Sequence, residues 1–149
     1  MMQTKDAPAT TERGRRKSDR TRAMLSAYLE DLLSGDDFGR HMAEDVTFTT
    51  METGDVTHGR DDVVGLITFM HHQAFDASPV VRTLIVDDGQ AALEADFVAT
   101  HTGEFAGIGP TGRQVSVPYA ITYDIEDDSI TALRMYMAMT SLVGQLQEG

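Results

Sequence analysis

Two carboxylates, Glu94 and Asp96, stand two positions apart in the segment AALEADFVAT, residues 91–100. In an extended strand successive side chains point to opposite faces, so Glu94, Asp96, Val98 and Thr100 share one face while Leu93, Ala95, Phe97 and Ala99 share the other. Two acids in a low-dielectric cavity raise each other's proton affinity and leave one protonated donor beside one anion near neutral pH. Such a pair moves protons without a cofactor. The same alternation also permits the converse, with the acids in solvent and the apolar face in the core.

Histidines come next, because their ordinary titration lies nearest neutrality. His71 and His72 sit late on a predicted helix, where neighbours diverge by about 100°. One of the two at most is expected to serve the site, and His72 is placed there with Asp96 and Glu94. His101, in Thr-His-Thr-Gly-Glu, is assigned a structural hydrogen-bonding role. On the last strand Leu133, Met135, Met137 and Met139 alternate with Arg134, Tyr136 and Ala138. If that methionine stripe faces inward it lines a wide, deformable apolar pocket; otherwise it is a packing surface. The expected lining is Met51, Phe69, Met70, Met135 and Met137, with Tyr119 and Tyr136 orienting a substrate oxygen.

Other chemistries find no support in the residues. The chain has no cysteine, which removes thiolate metal sites, disulfides and cysteine nucleophiles. No His-x-x-x-His or His-Glu-x-x-His spacing suggests a metal. There is no Gly-x-Ser-x-Gly elbow. The glycines between Gly103 and Gly112 join two strands and open no helix, so they form neither a phosphate-binding loop nor a dinucleotide fingerprint. No cofactor is expected.

The elements that position these groups follow from periodicity. Residues 1–18 read as a polar, disordered basic arm. A helix is predicted over residues 19–33, capped by Ser18 or Asp19 and carrying Leu25, Tyr28, Leu29 and Leu32 at helical spacing. A short second helix is expected near residues 36–42, then a strand at 45–51 and a turn with a short strand at 52–59. A third helix opens at Gly59-Arg60-Asp61-Asp62, with acids where the helix dipole favours them, and runs to about residue 75. Strands are predicted at 80–86, 90–105, 114–125 and 129–140. Asp87-Asp88-Gly89 and Glu126-Asp127-Asp128-Ser129 are read as hairpin turns. Helices followed by a four-strand meander indicate an α+β fold.

Composition sets outer bounds. A chain of 149 residues with 41% apolar and 24% charged residues suits a single domain with a real core. Nine methionines suit an adaptable apolar interior. The net charge of −12 is uneven: residues 1–22 hold seven Lys/Arg against three acids, and the remainder is strongly acidic. An acidic body repels phosphate backbones and anionic lipid, so neither nucleic acid nor membrane is an expected partner. No apolar run approaches the roughly 18 residues of a membrane span, and the first residues are charged where a signal peptide is apolar. A cytoplasmic location is expected.

The segment THTGEFAGIGPTGRQVSVPYAITYDI resembles the SnoaL-like polyketide cyclases and ester-cyclase-like proteins of the cystatin-like α+β barrel (nuclear-transport-factor-two-like) superfamily. The resemblance covers about residues 19–146. It implies a curved mixed sheet wrapped by three helices into a cone with an internal apolar pocket, and a homodimer formed through the open sheet face. LEADFV is similar to the strand on which limonene-epoxide-hydrolase-like relatives carry Arg-x-Asp, with Glu94 at the arginine position, which implies that Asp96 is an acid facing the pocket. The water-activating positions of those hydrolases correspond to Thr49, Met51 and Met135, none of which is a base. The last-strand acid common in the cyclases corresponds to Ala138. The function implied is a cofactor-independent cyclase or isomerase acting on a bulky apolar, polyketide-like intermediate of secondary metabolism such as antibiotic biosynthesis. A non-catalytic small-molecule binding protein of the same fold is the alternative, and an epoxide hydrolase the third.

Overall fold

The computed structural model describes residues 7–148. Helix α1 spans Ala7–Ser34 and is followed by a 3-10 turn, Phe38–His41. The strands are β1 (Met42–Thr50), β2 (Asp55–His58), β3 (Phe75–Ala77), β4 (Val80–Asp87), β5 (Gln90–His101), β6 (Gln114–Glu126) and β7 (Ser129–Met137). Helix α2 covers Arg60–Thr68 and continues as a π-helical turn, Phe69–Gln73; α3, Met139–Gln147, closes the chain. The seven strands form one strongly curled sheet in the order β2-β1-β7-β6-β5-β3, with β4 also paired to β5. β1 runs parallel to β7 and the other pairs are antiparallel. The result is the α+β cone, three helices around a mixed half-barrel.

Three expectations are corrected. α1 begins at Ala7, so residues 7–18 are helical rather than an unstructured arm; residues 1–6 of that arm lie outside the described residues. The expected second helix is a single 3-10 turn. The last strand ends at Met137, and residues 139–147 form a helix whose Leu142 and Leu146 are buried. That helix was hidden because Met137 and Met139 continue the strand's alternation across the bend at Ala138.

The turns behave as their residues dictate. Asp127 and Asp128 both take positive φ, 51° and 61°, the pairing a tight hairpin needs to match strand twist. Gly103 has a different reason: a Cβ there would collide with the Gln73 carbonyl oxygen. The amides of Thr102 and Gly103 both donate to the Ala74 carbonyl at 3.0 Å. The Thr-Gly step thus lets the end of β5 close against the π turn.

Two buried clusters form the core. One gathers Leu25, Tyr28, Val46, Leu93, Tyr123 and Leu133; the other gathers Phe75, Phe97, Val117, Met137 and Leu142. Tyr119 and Met135 pack against both, which places them at the seam.

Candidate active site

The seam is a cavity. Its space free of protein atoms, mouth included, is about 880 Å³, of which about 180 Å³ admits the centre of a water molecule. α1 contributes Tyr28, Leu29 and Leu32; the end of α2 and the π turn contribute Ile67, Phe69, Met70 and His71; β5 contributes Leu93 and Phe97. β6 contributes Tyr119, Ile121 and Tyr123, and the last strand and bend contribute Leu133, Met135, Met137 and Met139. The methionine stripe therefore faces inward. Strand register explains the rest of that wall: Tyr119 pairs with Met137, Ile121 with Met135 and Tyr123 with Leu133, so the stripe carries these β6 residues to its own side.

The same register moves the acid pair outward. Leu93 pairs with Ile121 and Ala95 with Tyr119, which commits the odd residues of β5 to the interior. Glu94 is exposed, and Asp96 accepts hydrogen bonds from Arg82 Nε at 2.7 Å and from its Nη2 on the outer face. The expectation that Glu94 and Asp96 face the pocket is corrected. Arg82, one strand away, supplies the cation that the LEADFV motif lacks, and does so outside.

Three further site residues are relocated. His72 is exposed and borders a separate surface depression with Asp36, Asp37 and Thr68. Tyr136 pairs with Ala120 on the outer face and is 48% exposed. Met51 lies in the turn after β1, exposed and away from the cavity. Phe69, Met70, Met135, Met137 and Tyr119 line the cavity as expected.

What the cavity does hold is a set of neutral polar groups. Tyr28 and Tyr123 are buried phenols and Tyr119 is a partly buried one. Burial raises all three, Tyr119 to about 12 and Tyr28 and Tyr123 strongly, and neighbouring phenols raise Tyr28 and Tyr123 again. They remain O–H donors across the physiological range. Among the described residues none of the three hydroxyls has a hydrogen-bond partner, and none is sealed away from the cavity space. Thr50 adds a fourth hydroxyl. No aspartate, glutamate, lysine or arginine belongs to the described lining.

His71 completes the set. Its Nδ1 lies 2.9 Å from the Ile67 carbonyl oxygen; a carbonyl only accepts, so Nδ1 carries the proton of the neutral ring and Nε2 the lone pair. Nε2 is buried and has no partner. Burial, more than its neighbour His72, pushes the imidazole below its ordinary value despite the hydrogen bond to Ile67. The ring meets Phe97 edge-to-face at 5.9 Å, and Phe97 meets Tyr119 the same way at 6.3 Å. His101, by contrast, is fully buried outside the cavity, its Nδ1 accepting from the Thr111 amide at 3.1 Å. That is the structural role expected of it. Among the described residues no three His, Asp or Glu side chains converge to hold a metal ion.

Sequence reasoning missed Tyr28, Tyr123 and His71. Tyr28 sat on the apolar stripe of α1, Tyr123 shared strand parity with Tyr119, and the π turn that brings Phe69, Met70 and His71 to one wall has no sequence signature.

Comparison with curated proteins finds no match. Among solved structures the chain is similar to a candidate SnoaL-like polyketide cyclase from Jannaschia sp. CCS1, with 14% identity, TM-score 0.79 and coverage of 89% of this chain and 94% of that one. It is similar to AclR, a candidate hydroxylase from Streptomyces galilaeus, with 22% identity, TM-score 0.74 and coverage of 87% and 85%. A candidate ketosteroid isomerase from Kribbella flavida DSM 17836 matches with 19% identity, TM-score 0.64 and coverage of 81% and 79%. At these identities the structures establish the shared fold. The family model for SnoaL-like polyketide cyclases matches residues 20–146, nearly the whole described chain, and the chain belongs to that family.

Proposed function

We propose that the protein is a cofactor-independent cyclase or isomerase acting on a neutral, bulky, polyketide-like intermediate. The observation that carries this reading is the cavity's polar inventory: three phenols, the Thr50 hydroxyl and one imidazole in an apolar wall, with no ionic side chain among the described lining residues. Phenol donors without protein acceptors suit ketone or enol oxygens on an otherwise apolar ligand. A carboxylate or phosphate substrate would lack a counter-charge and would carry a large desolvation cost. The methionine wall accommodates a polycyclic outline by repacking, and confinement favours ring closure by removing unproductive conformers.

The acid-base work expected of Asp96 and Glu94 cannot be done from the outer face. Proton transfer within the substrate falls to the groups that line the cavity. Hydrolysis needs a base on a positioned water, and the hydrolase positions here are Thr49, Met51 and Met135. The product is therefore expected to be an isomer of the substrate. Incubating the protein with linear and partly cyclised aromatic polyketones in oxygen-18 water, and weighing the products, tests this. A gain of one labelled water establishes a hydrolase and overturns the reading. Tight binding with no product supports a non-catalytic binding protein instead.

A further inference from the structure

Within that reading, the proton acceptor remains to be assigned. The candidates are few, because a base must line the cavity and be unprotonated near neutral pH. The phenols are raised and hold their protons. Threonine does not titrate. Among the described lining residues this leaves His71.

Its geometry supports the role independently. The hydrogen bond from Nδ1 to the Ile67 carbonyl fixes the tautomer and ring orientation, as an orienting partner does for a working imidazole. Nε2 is left with a free lone pair, unpartnered and, unlike the three phenol oxygens, closed off from the cavity space by its neighbours, so a substrate reaches it only as the wall yields. Buried acceptors in folded proteins are nearly always satisfied; His101 Nε2 is orphaned in the same way but lies outside the cavity, so His71 Nε2 is the orphan whose ring lines a space where an occupant can supply the partner. The π turn adds a second observation. Its 5-residue hydrogen bond, from the Ala74 amide to the Phe69 carbonyl at 2.7 Å, widens the helix so that three consecutive residues, Phe69, Met70 and His71, line one wall. Such turns occur frequently at functional sites. Met70, beside His71 in that wall, is the kind of side chain that yields to an occupant.

We infer that His71 is the catalytic base of this cavity, its Nε2 taking a proton from a substrate carbon adjacent to a carbonyl while a phenol holds the carbonyl oxygen. In the first step the C–H bond breaks, its electron pair forms a carbon–carbon double bond, and the carbonyl π pair moves onto oxygen. Tyr119, which flanks the same Phe97 ring as His71, is the phenol placed to donate to that enolate. In ring closure the enolate carbon bonds to a second carbonyl carbon of the same molecule, whose oxygen takes the proton back from the imidazolium. In isomerisation the proton returns to a different carbon. Either way His71 ends neutral, and nothing is oxidised, reduced or hydrolysed. His72 is the other titratable group beside His71, with its ring 6.3 Å away, and it lies outside the cavity.

The test uses the full chain with nitrogen-15 histidine and β-naphthol, a flat neutral enol mimic. Binding is followed by naphthol fluorescence and the His71 nitrogens by NMR. On binding, the Nε2 resonance is expected to move toward the hydrogen-bonded or protonated range, and H71Q is expected to weaken binding about tenfold, the order of one good hydrogen bond in a buried site. H72Q should leave affinity unchanged. Failure of the wild-type protein to bind naphthol would overturn the cavity reading itself. Binding with the His71 resonances unmoved, and with H71Q equal to wild type, would overturn His71 alone. Because H71Q could fold poorly, its melting temperature is measured alongside, and His71→Asn, shorter by one methylene, is the second variant. Should both variants unfold, the NMR shift of the wild-type complex decides.

Discussion

Tyr123→Phe should make the protein more stable and a poorer binder at once. Tyr123 is 1% exposed, and its hydroxyl has no acceptor among the described residues. A buried polar group without a partner costs about 1–3 kcal/mol of desolvation. The hydroxyl abuts cavity space, so the lower end applies, about 1 kcal/mol. The ring's own packing survives the change, since its edge-on contact with Tyr28 at 6.2 Å involves carbon atoms that phenylalanine retains. For a chain of this size 1 kcal/mol corresponds to a rise in Tm of about 2–4 °C. The same deletion removes one donor for a ligand oxygen, a loss of about 1 kcal/mol or roughly fivefold in affinity. Calorimetry and β-naphthol titration of the same preparation read both quantities. A fall in Tm of more than about 2 °C would mean that the hydroxyl serves the fold, and an unchanged affinity would remove Tyr123 from the binding set.

Glu94→Gln and Asp96→Asn should leave ligand affinity and any turnover at wild-type levels, because both side chains lie on the outer sheet face; a loss of activity in a turnover assay would return the chemistry to the acid pair. Phe97→Ala should cost about 3–5 kcal/mol in urea denaturation, since the ring is 2% exposed and packs against Phe75, His71 and Tyr119; a cost below about 1 kcal/mol would contradict its place in the core. Stability should fall in two stages on acidification. The first lies at and below about pH 6.5, because the unfolded chain protonates His71 more readily than the folded one. The second follows through the carboxylate range, because Asp31, hydrogen-bonded to His41 and Arg40, and Asp124, paired with Arg134, are both held below their ordinary values. Thermal melts from pH 8 to pH 3 should show both stages, with the first lost in H71Q. Light scattering should give a dimer mass, because Ile85, Val80 and Tyr136 expose apolar surface on the outer face of the sheet; a monomer would refute that expectation.

Much of the architecture was legible in the chain. Alternation located β4, β5 and β6 to within a residue or two at most ends, the acidic turn residues marked the β6–β7 hairpin, and the methionine parity of β7 marked one wall of a pocket. Local chemistry suffices for these because strand period and turn conformation are properties of a few neighbouring residues. The face that each strand turns inward is another matter. Period two specifies two faces and leaves their assignment to packing, so Glu94 and Asp96 were separable from Leu93 and Phe97 but not placed. Pairing of β5 with β6, and of β6 with β7, decided the matter by joining Leu93 to Ile121 and Ile121 to Met135. The choice between His71 and His72 turned on a π-helical turn that ends where Gly103 lets β5 approach the Ala74 carbonyl. That contact joins residues some thirty positions apart, and only the tertiary structure brings them together.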